Sequence, residues 1–360
     1  MAGLRHTDFS TPTHGQNLRG QSHRLTQIGA CLMLLCAAVF WGAGNIANKT
    51  LLAHIGPLTA IGWRCLLATL LVLPLCHFER SAKTESGWLR SGVVVSGLFA
   101  AALGFQQVAY LNTSVTNVSF LVNTASVMTP VLAWLVCKER PGKQIICAGI
   151  LTLCGAYLMS GAHLSVSQLN LGDISCMASA AFYAAWMVAL GRHAVQHGRP
   201  LATSALQFAL TACLAAPLAL AFESPSLAGA AAAWRELWFL GMFSTAGAFA
   251  LMACAQRHVP ASIAAVLVSA ESVFGAVGAH VFLNERISVG GLAGAGLIML
   301  AIVIAAGMGV AQSNRHAIRS PDPTPEFTPA NAALELPEPQ GIHPYAHGPY
   351  EQPFFPFIKS

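Results

Sequence analysis

One arginine stands inside an apolar stretch where a charge is costly. Arg64 lies in the sequence TAIGWRCLLATLL, and a charged side chain deep in a bilayer costs at least ~2.5 kcal/mol. Such a residue normally faces a cavity or a partner. Two interpretations stay open: Arg64 contacts an anionic group of a substrate, or it is a structural arginine that snorkels or bonds to helix ends.

A carboxylate occupies a comparable position later in the chain. Glu271 lies within an apolar run at 261–283, and His280 follows it about 14 Å further along a helix. Burial favours the neutral form of a carboxyl group, so Glu271 could take up and release a proton, and His280 is a second candidate for a proton relay. The alternatives are a Glu271 bonded to Arg64 or to hydroxyls, and a His280 that is packed or hydrogen-bonded.

Polar side chains recur at helical spacing in other apolar runs. Trp41, Asn45 and Asn48 are spaced so that they share one face of a helix. Amides within a membrane span either line a cavity or bond neighbouring helices, and both interpretations stay open for these residues. They also apply to a second set, from which we take Gln107, Tyr110 and Asn123 as cavity candidates: Gln106, Gln107, Tyr110, Asn117 and Asn123.

The sequence lacks the motifs of common enzymes and metal sites. No HExxH, GxSxG, Walker or paired-carboxylate motif occurs. The ten cysteines form no CxxC pair and fall within or at the ends of apolar runs, where cysteine acts as a small apolar residue. We therefore predict no cofactor, no metal and no catalytic residue. We interpret Gly290 and Gly294 as close helix packing, Asp173 as a helix cap and Pro130 as a bend.

Composition indicates which elements hold these residues. Hydrophobic residues make up 55% of the chain and charged residues 9%, whereas a soluble domain carries roughly 25% charged residues, so the apolar surface must face lipid. A helix spans the hydrocarbon with about 20 apolar residues, and its backbone satisfies its own hydrogen bonds. We predict an all-α integral membrane protein with ten transmembrane helices at 28–48, 57–77, 91–111, 116–137, 143–161, 171–191, 201–222, 236–256, 261–283 and 288–310.

Basic residues predict the orientation of the chain, because lysine and arginine concentrate in cytoplasmic loops. An N-terminus inside leaves only Lys49, Arg235 and Arg286 in loops outside. We therefore expect both termini in the cytoplasm, with residues 1–27 as an N-terminal tail without a signal peptide and the proline-rich residues 312–360 as a disordered tail. The basic residues are scattered, which argues against a nucleic-acid partner.

The sequence resembles itself at a spacing of 146 residues, the interval from 136 to 282. VCKERPG at 136–142 matches FLNERIS at 282–288. The first helices of the two halves match more loosely, as AAVFWGAGNIANK at 37–49 and AAFYAAWMVALGR at 180–192. Identical pairs at the spacing of 146 include Ser126 with Ser272 and Ala133 with Ala279.

The repeat predicts an inverted architecture. With five helices in each half, the second half must enter the membrane upside down. We place the first repeat at 28–161 and the second at 171–310. Inverted repeats are typical of transporters, because the halves can exchange conformations around one central site.

Four stretches in this order resemble the EamA-type branch of the drug/metabolite transporter superfamily: FWGAGNIANK, WRCLLATLLVLPL, TPVLAWLVCKER and ESVFGAVGAHVFLNER. The resemblance covers residues 28–310. It implies ten helices in an inverted five-plus-five repeat, a central cavity, and transport of amino acids, other small metabolites or drugs, often by efflux. That group often has arginine at the position of Arg64, which favours a partly structural role for this residue. It often has Glu-Pro where this chain has Glu271-Ser272, so we expect a straighter ninth helix.

The leading hypothesis is a secondary transporter of the cytoplasmic (inner) membrane that exports its substrate by alternating access and is coupled to protons. Its partners would be a small-molecule substrate, the lipid bilayer and the coupling proton. One alternative is a membrane receptor or scaffold that uses its C-terminal tail. Another is an integral membrane enzyme, for which the sequence offers no cluster of His, Asp, Glu or Ser at one membrane face.

Overall fold

The computed structural model describes residues 14–79, 87–113, 115–138, 141–160, 170–283 and 286–319, and these residues form helices and connecting turns. A 3₁₀ segment at Leu73–Phe78 extends α2, and a π-helical segment at Leu240–Gly247 joins α10 to α11. The α-helices are α1 (His14–Leu51), α2 (Pro57–Val72), α3 (Trp88–Asn112), α4 (Val115–Val122), α5 (Ala125–Cys137), α6 (Lys143–Met159), α7 (Leu171–His197), α8 (Pro200–Phe222), α9 (Leu227–Ala232), α10 (Trp234–Phe239), α11 (Ala248–Ala255), α12 (Ala261–Val268), α13 (Ala270–Leu283) and α14 (Val289–Arg319).

The prediction of an all-α membrane protein is confirmed. Within the described part of the chain, nine helical segments are long and apolar enough to cross a membrane. The fifth predicted span, α6, is apolar but has only 17 residues, which is about 26 Å of helix against a hydrocarbon core of about 30 Å. The nine segments are Leu25–Leu51, Pro57–Phe78, Trp88–Asn112, Val118–Cys137, Leu171–His197, Pro200–Phe222, Trp234–Ala255, Ala261–Phe282 and Val289–Met308.

The helices at the two ends of the bundle extend beyond the predicted spans. α1 already begins at His14 and α14 continues to Arg319, so each includes part of a segment that we expected to be a tail. Residues 1–13 and 320–360 lie outside the described residues, as do 139, 140 and 285 of the repeated Glu-Arg motif.

Two predicted spans are interrupted near their middle. The fourth span breaks between α4 and α5 at Asn123 and Thr124, and the ninth breaks between α12 and α13 at Ser269. The ninth span is therefore two helices rather than one, although Ser272 stands where the resembling group often has proline. The break needs no proline, because the Ser269 hydroxyl donates to the carbonyl of Val266 at 2.6 Å and so competes with the backbone pattern of the helix.

The helix contacts of the first half repeat in the second half. α1 packs against α11 and α13, which belong to the eighth and ninth spans, and α7 packs against α3, α4 and α5, which belong to the third and fourth. α2 packs against α8, and α6 packs against α14. These contacts are unchanged when the two halves are exchanged, as an inverted repeat predicts, whereas the packing of α1 against α14 has no counterpart of similar extent between α7 and α6.

Two glutamates cap the start of a helix in the other half of the chain. Glu223 follows α8, and its carboxylate accepts hydrogen bonds from the N–H groups of Leu58 and Thr59 and from the Thr59 hydroxyl, at 2.8, 2.9 and 2.6 Å. Glu79 follows the 3₁₀ segment and accepts from two backbone N–H groups in the first turn of α8, at 2.6 and 3.0 Å. Each glutamate satisfies donors that a helix start leaves unpaired, and the reciprocal contacts fix α2 and α8 antiparallel.

Glycines bring α6 and α14 into close contact, as the GxxxG spacing predicted. A Cβ atom built on Gly155 would lie 2.6 Å from the carbonyl oxygen of Gly294, and one on Gly294 would collide with the carbonyl oxygen of Gly155. Gly290 lies against the Leu158 carbonyl on the same face. Only glycine permits this approach of two backbones.

Replacing Glu223 with alanine should destabilise the protein, because three donors at the start of α2 lose a charged acceptor. Hydrogen bonds to charged groups contribute about 1.5–3 kcal/mol, so we expect a loss of roughly 2 kcal/mol and a lower Tm in thermal unfolding of the detergent-solubilised protein. Glu236→Ala is the control, since Glu236 makes no side-chain hydrogen bond among the described residues. Equal Tm values for the two variants would contradict the capping role.

Gly294→Ala should force α6 and α14 apart. Overpacking of this kind typically costs about 1–3 kcal/mol, so the Tm of the variant should fall. Gly296→Ala is the matched control, because a Cβ atom at Gly296 meets open space and alanine is the better helix former. An unchanged Tm for Gly294→Ala would show that the two helices can separate freely.

Candidate functional site

The structure brings most of the predicted site residues to one central cavity. The cavity has a volume of about 90 Å³, enough for several water molecules. Spans one, two, three, four, six, eight and nine all contribute to its wall. Its lining includes Trp41, Asn45, Asn48, Arg64, Tyr110, Asn123 and Glu271 from the prediction, together with Leu103, Gln106, Ser126, Tyr183, Trp186, Met187, Leu240, Ser244 and Phe249.

The polar face of α1 forms one wall of this cavity and bonds to two other spans. The Trp41 indole donates to the carbonyl of Ser244 at 3.0 Å, and the Tyr110 hydroxyl donates to the Asn45 side-chain oxygen at 3.0 Å. Trp41 and Asn45 each line the cavity and also hydrogen-bond to a neighbouring helix. Both interpretations therefore hold for these two residues.

Asn48 and Gln107 form a reciprocal amide pair between α1 and α3. The Asn48 amide donates to Gln107 Oε1 at 2.9 Å, and the Gln107 amide donates to Asn48 Oδ1 at 3.2 Å. Both side chains are buried. The structure thus places Gln107 between helices, and its neighbour Gln106 lines the cavity instead, where it accepts a hydrogen bond from the Tyr183 hydroxyl at 2.9 Å.

Arg64 is held at the cavity by the π-helical segment of the eighth span. Its Nε donates to the Thr245 hydroxyl at 2.8 Å, and its side chain is only 6% exposed. A guanidinium group has five N–H donors, and among the described residues the Thr245 hydroxyl is the acceptor for the donor on Nε. The π segment widens the helix locally, and it supplies both the Thr245 hydroxyl for Arg64 and the Ser244 carbonyl for Trp41.

Glu271 enters the same cavity from the first turn of α13. No hydrogen bond from a described residue reaches its carboxylate, and no ion pair within this part of the chain joins it to Arg64. The start of α13 carries the positive end of the helix dipole, which favours a negative charge nearby. The cavity therefore has an acidic and a basic group that do not neutralise each other by direct contact.

The two interrupted spans cross beside Glu271. Asn123 lies at the break of the fourth span, and its amide donates to the hydroxyl of Ser272 in the ninth. Asn123 and Ser269, the residues at the two breaks, are separated by the repeat interval of 146. Thr124 mirrors the bond of Ser269, because its hydroxyl donates to the carbonyl of Leu121 at 2.6 Å. The breaks thus occupy equivalent positions in the two halves.

An aromatic cluster packs at the central cavity, and the sequence prediction included Trp41 but missed the other rings. Phe249 lies 4.8 Å from Trp41, 4.7 Å from Phe99 and 5.5 Å from Trp186 between ring centroids. Tyr183 packs edge-on to Trp186 at 6.1 Å. An aromatic residue within an apolar run has the same pattern as a core residue, so no sequence signal separated these side chains from the core.

Two other predicted residues lie away from the cavity or outside the described side chains. His280 is exposed on α13 and is not among the residues that line the central cavity. The side chain of Asn117 is not among those described. Asp173 is a helix cap as predicted, since it forms a reciprocal capping box with Asn170 at the start of α7 and accepts from the Thr113 hydroxyl at 2.7 Å.

A second cavity adjoins the first. It has a volume of about 280 Å³ and lies at the end of the bundle where α1 ends and α14 begins. Lys49 and Arg286 line it, and we call it the Lys49 vestibule. Asn45 and Glu271 line both spaces, so the vestibule meets the central cavity at these two side chains. The acidic group is therefore accessible from one end of the bundle.

Comparison with known proteins gives consistent matches. The model of the EamA-like transporter family matches residues 28–161 and 170–307. An uncharacterized transporter of Archaeoglobus fulgidus is 28% identical, covering 79% of this chain and 88% of the relative. The uncharacterized transporter YwfM of Bacillus subtilis is 25% identical, covering 76% and 92%. A solved crystal structure superimposes with a TM-score of 0.67 at 17% identity, covering 79% of this chain and 98% of the other, and shares the fold.

The amide pair between α1 and α3 gives a test of the cavity wall. Asn48→Leu should leave a buried Gln107 amide unpaired and cost roughly 1–3 kcal/mol, whereas replacing both partners with leucine should be nearly neutral. The measurement is a double-mutant cycle on the Tm of Asn48→Leu, Gln107→Leu and the double variant. A double variant that loses the sum of the two single effects would refute the pairing.

Proposed function

Because the chain belongs to the EamA-like transporter family and is a multi-pass membrane transporter, we propose that it exports a small organic metabolite by alternating access, coupled to proton entry. The membrane is the cytoplasmic (inner) membrane, with both termini in the cytoplasm. This orientation is supported by the basic residues, of which only Lys49, Arg235 and Arg286 fall in loops on the other side.

The observation that carries the proposal is the charge pattern of the central cavity. Arg64 and Glu271 line the same small space without a direct ion pair. Buried charges are costly unless they are compensated. A solute that carries both a carboxylate and an ammonium group would compensate both, so we take amino acids and related metabolites as the first substrate class to test.

The remaining wall suits the other parts of such a solute. Leu103, Trp41 and Phe249 offer apolar contact, and Asn45 and Gln106 offer polar atoms whose orientation is fixed by tyrosine hydroxyls. Ligand sites are commonly apolar with a few fixed polar groups. The pattern supports a binding site for a small metabolite over a water-filled pore.

The position of Glu271 supports proton coupling. It lines both the central cavity and the Lys49 vestibule, so a proton from one face can reach it. If substrate and proton compete for this carboxylate, the substrate-bound protein and the protonated protein favour different arrangements of the two repeats. A ligand shifts a conformational equilibrium only through such differential affinity.

An integral membrane enzyme is the less favoured function. The relatives are named as transporters, and the part of the chain that the structure describes brings together no group of three or more His, Cys, Asp or Glu that could hold a metal.

Glu271→Gln should abolish accumulation driven by an imposed pH gradient, because glutamine cannot exchange a proton. The assay is uptake of a labelled amino-acid and metabolite panel into inverted vesicles, with and without the gradient. Arg64→Ala should raise the KM by about tenfold or more, since a hydrogen bond to a charged group contributes about 1.5–3 kcal/mol and 1.4 kcal/mol is tenfold.

Arg235→Ala and Glu236→Gln are the controls, because both residues lie on α10 and neither lines the cavity. Accumulation that ignores the gradient and survives Glu271→Gln would leave a facilitator with a structural glutamate. If the panel shows no transported solute, the next assay is deletion of residues 320–360, because the scaffold alternative requires that tail.

A further inference from the structure

A third cavity lies at the opposite end of the bundle from the Lys49 vestibule. It has a volume of about 330 Å³. It is formed where α5 and α7 end and α12 begins, and we call it the Arg257 groove. Its lining is Ala133, Cys137, Val188, Gly191, Arg192, Val195, Gln196, Gln256, Arg257, His258, Val259, Pro260 and Ala261.

The groove is the repeat-related counterpart of the Lys49 vestibule. Ala133 lines the groove, and Ala279, at the spacing of 146, lines the vestibule. In the matched first helices of the halves, Lys49 corresponds to Arg192 and Asn45 corresponds to Val188. Lys49 and Asn45 line the vestibule, and Arg192 and Val188 line the groove. Related wall residues and one basic side chain therefore recur at the two ends.

The two cavities differ in their connection to the centre. The vestibule shares Asn45 and Glu271 with the central cavity, whereas the described residues give the groove no lining residue in common with it. The same helix lies between the two spaces, because Met187 lines the central cavity and the next residue, Val188, lines the groove. An inverted repeat caught with one end connected and the other closed has this asymmetry.

Three side chains close the groove end. The Gln256 amide donates to the Met187 carbonyl at 3.2 Å, and the Thr129 hydroxyl contacts the Met187 sulfur at 3.7 Å. All three are buried. Gln256 Oε1 is buried and has no hydrogen-bond partner among the described residues, which is unfavourable in a packed interior and would be relieved if this side chain moved to meet water.

We propose that the Arg257 groove is the second mouth of the transport path, and that Thr129, Met187 and Gln256 form the plug that closes it in this structure. The inference rests on the proposed function and adds the route and the gate. Partial burial and the neighbouring Arg257 lower the pKa of His258, so at pH 7 the charge of this mouth comes from Arg192 and Arg257. A basic mouth attracts solutes that carry a carboxylate.

Cysteine labelling in oriented vesicles tests the route without knowledge of the substrate. The full chain carries one added cysteine, and a small membrane-impermeant methanethiosulfonate is applied from each face, with the native cysteines as background. Val195→Cys reports the groove face and Val289→Cys the vestibule face, because these side chains are 70% and 85% exposed. Ala265→Cys reports access to the central cavity, because Ala265 is buried, lines that cavity and is not part of the plug.

From the groove face, Ala265→Cys should be protected in the otherwise unchanged protein. Adding Gln256→Ala should remove this protection and bring the labelling rate towards that of Val195→Cys. Gln196→Ala is the matched control, since Gln196 lines the groove but is not part of the plug, and it should leave Ala265→Cys protected. If Gln256→Ala does not yield a monodisperse protein, Thr129→Ala provides the same test.

Protection that persists in a folded Gln256→Ala variant, or labelling of Ala265→Cys from the groove face without it, would overturn the plug. This result is separable from the transport assay. Loss of protection with no transported solute would refute the substrate class and support the mouth. Proton-driven transport with Ala265→Cys always protected would refute the mouth and support the proposed function.

Discussion

A charge inside a helix bundle that faces hydrocarbon must be compensated by the protein or by a ligand. Arg64 and Glu271 sit under this constraint in one small cavity. Thr245 anchors the guanidinium at 2.8 Å, and no described residue bonds to the carboxylate. The surrounding helices keep the guanidinium and the carboxylate away from lipid and out of direct contact with each other. Mutual neutralisation is left to water or to a bound solute.

Departures from regular helix occur where the cavity needs polar atoms. A regular helix in lipid consumes its own donors and acceptors, so its backbone has little to offer a site. The breaks at Asn123 and Ser269 and the π segment at Leu240–Gly247 relax this limit. They supply the Ser244 carbonyl and place side-chain hydroxyls and an amide where the spans cross. In contrast, α6 and α14 stay regular and approach each other through glycine.

The two halves share their main helix contacts but not their chemistry. Glu271 occupies the position that Ala125 holds at the repeat interval, and both line the central cavity. The acidic group therefore comes from one half only, at the end where the vestibule meets the cavity. In such a bundle, the two conformations related by exchange of the halves would place Glu271 in different environments. A difference of this kind is the condition for coupling a proton to a conformational change.

The sequence by itself determined the membrane class, nine of the ten spans at full length, and the residues that break apolar runs, because the cost of burying polar groups in lipid acts locally along the chain. It also determined the shared face of Trp41, Asn45 and Asn48, since helical periodicity fixes it. Only the tertiary structure decided that Gln106 rather than Gln107 faces the cavity, that Glu79 and Glu223 cap distant helices, and that Phe249 lines the cavity. Adjacent residues on a helix differ by about 100° in direction, and which direction meets a cavity is set by helices that are distant in sequence.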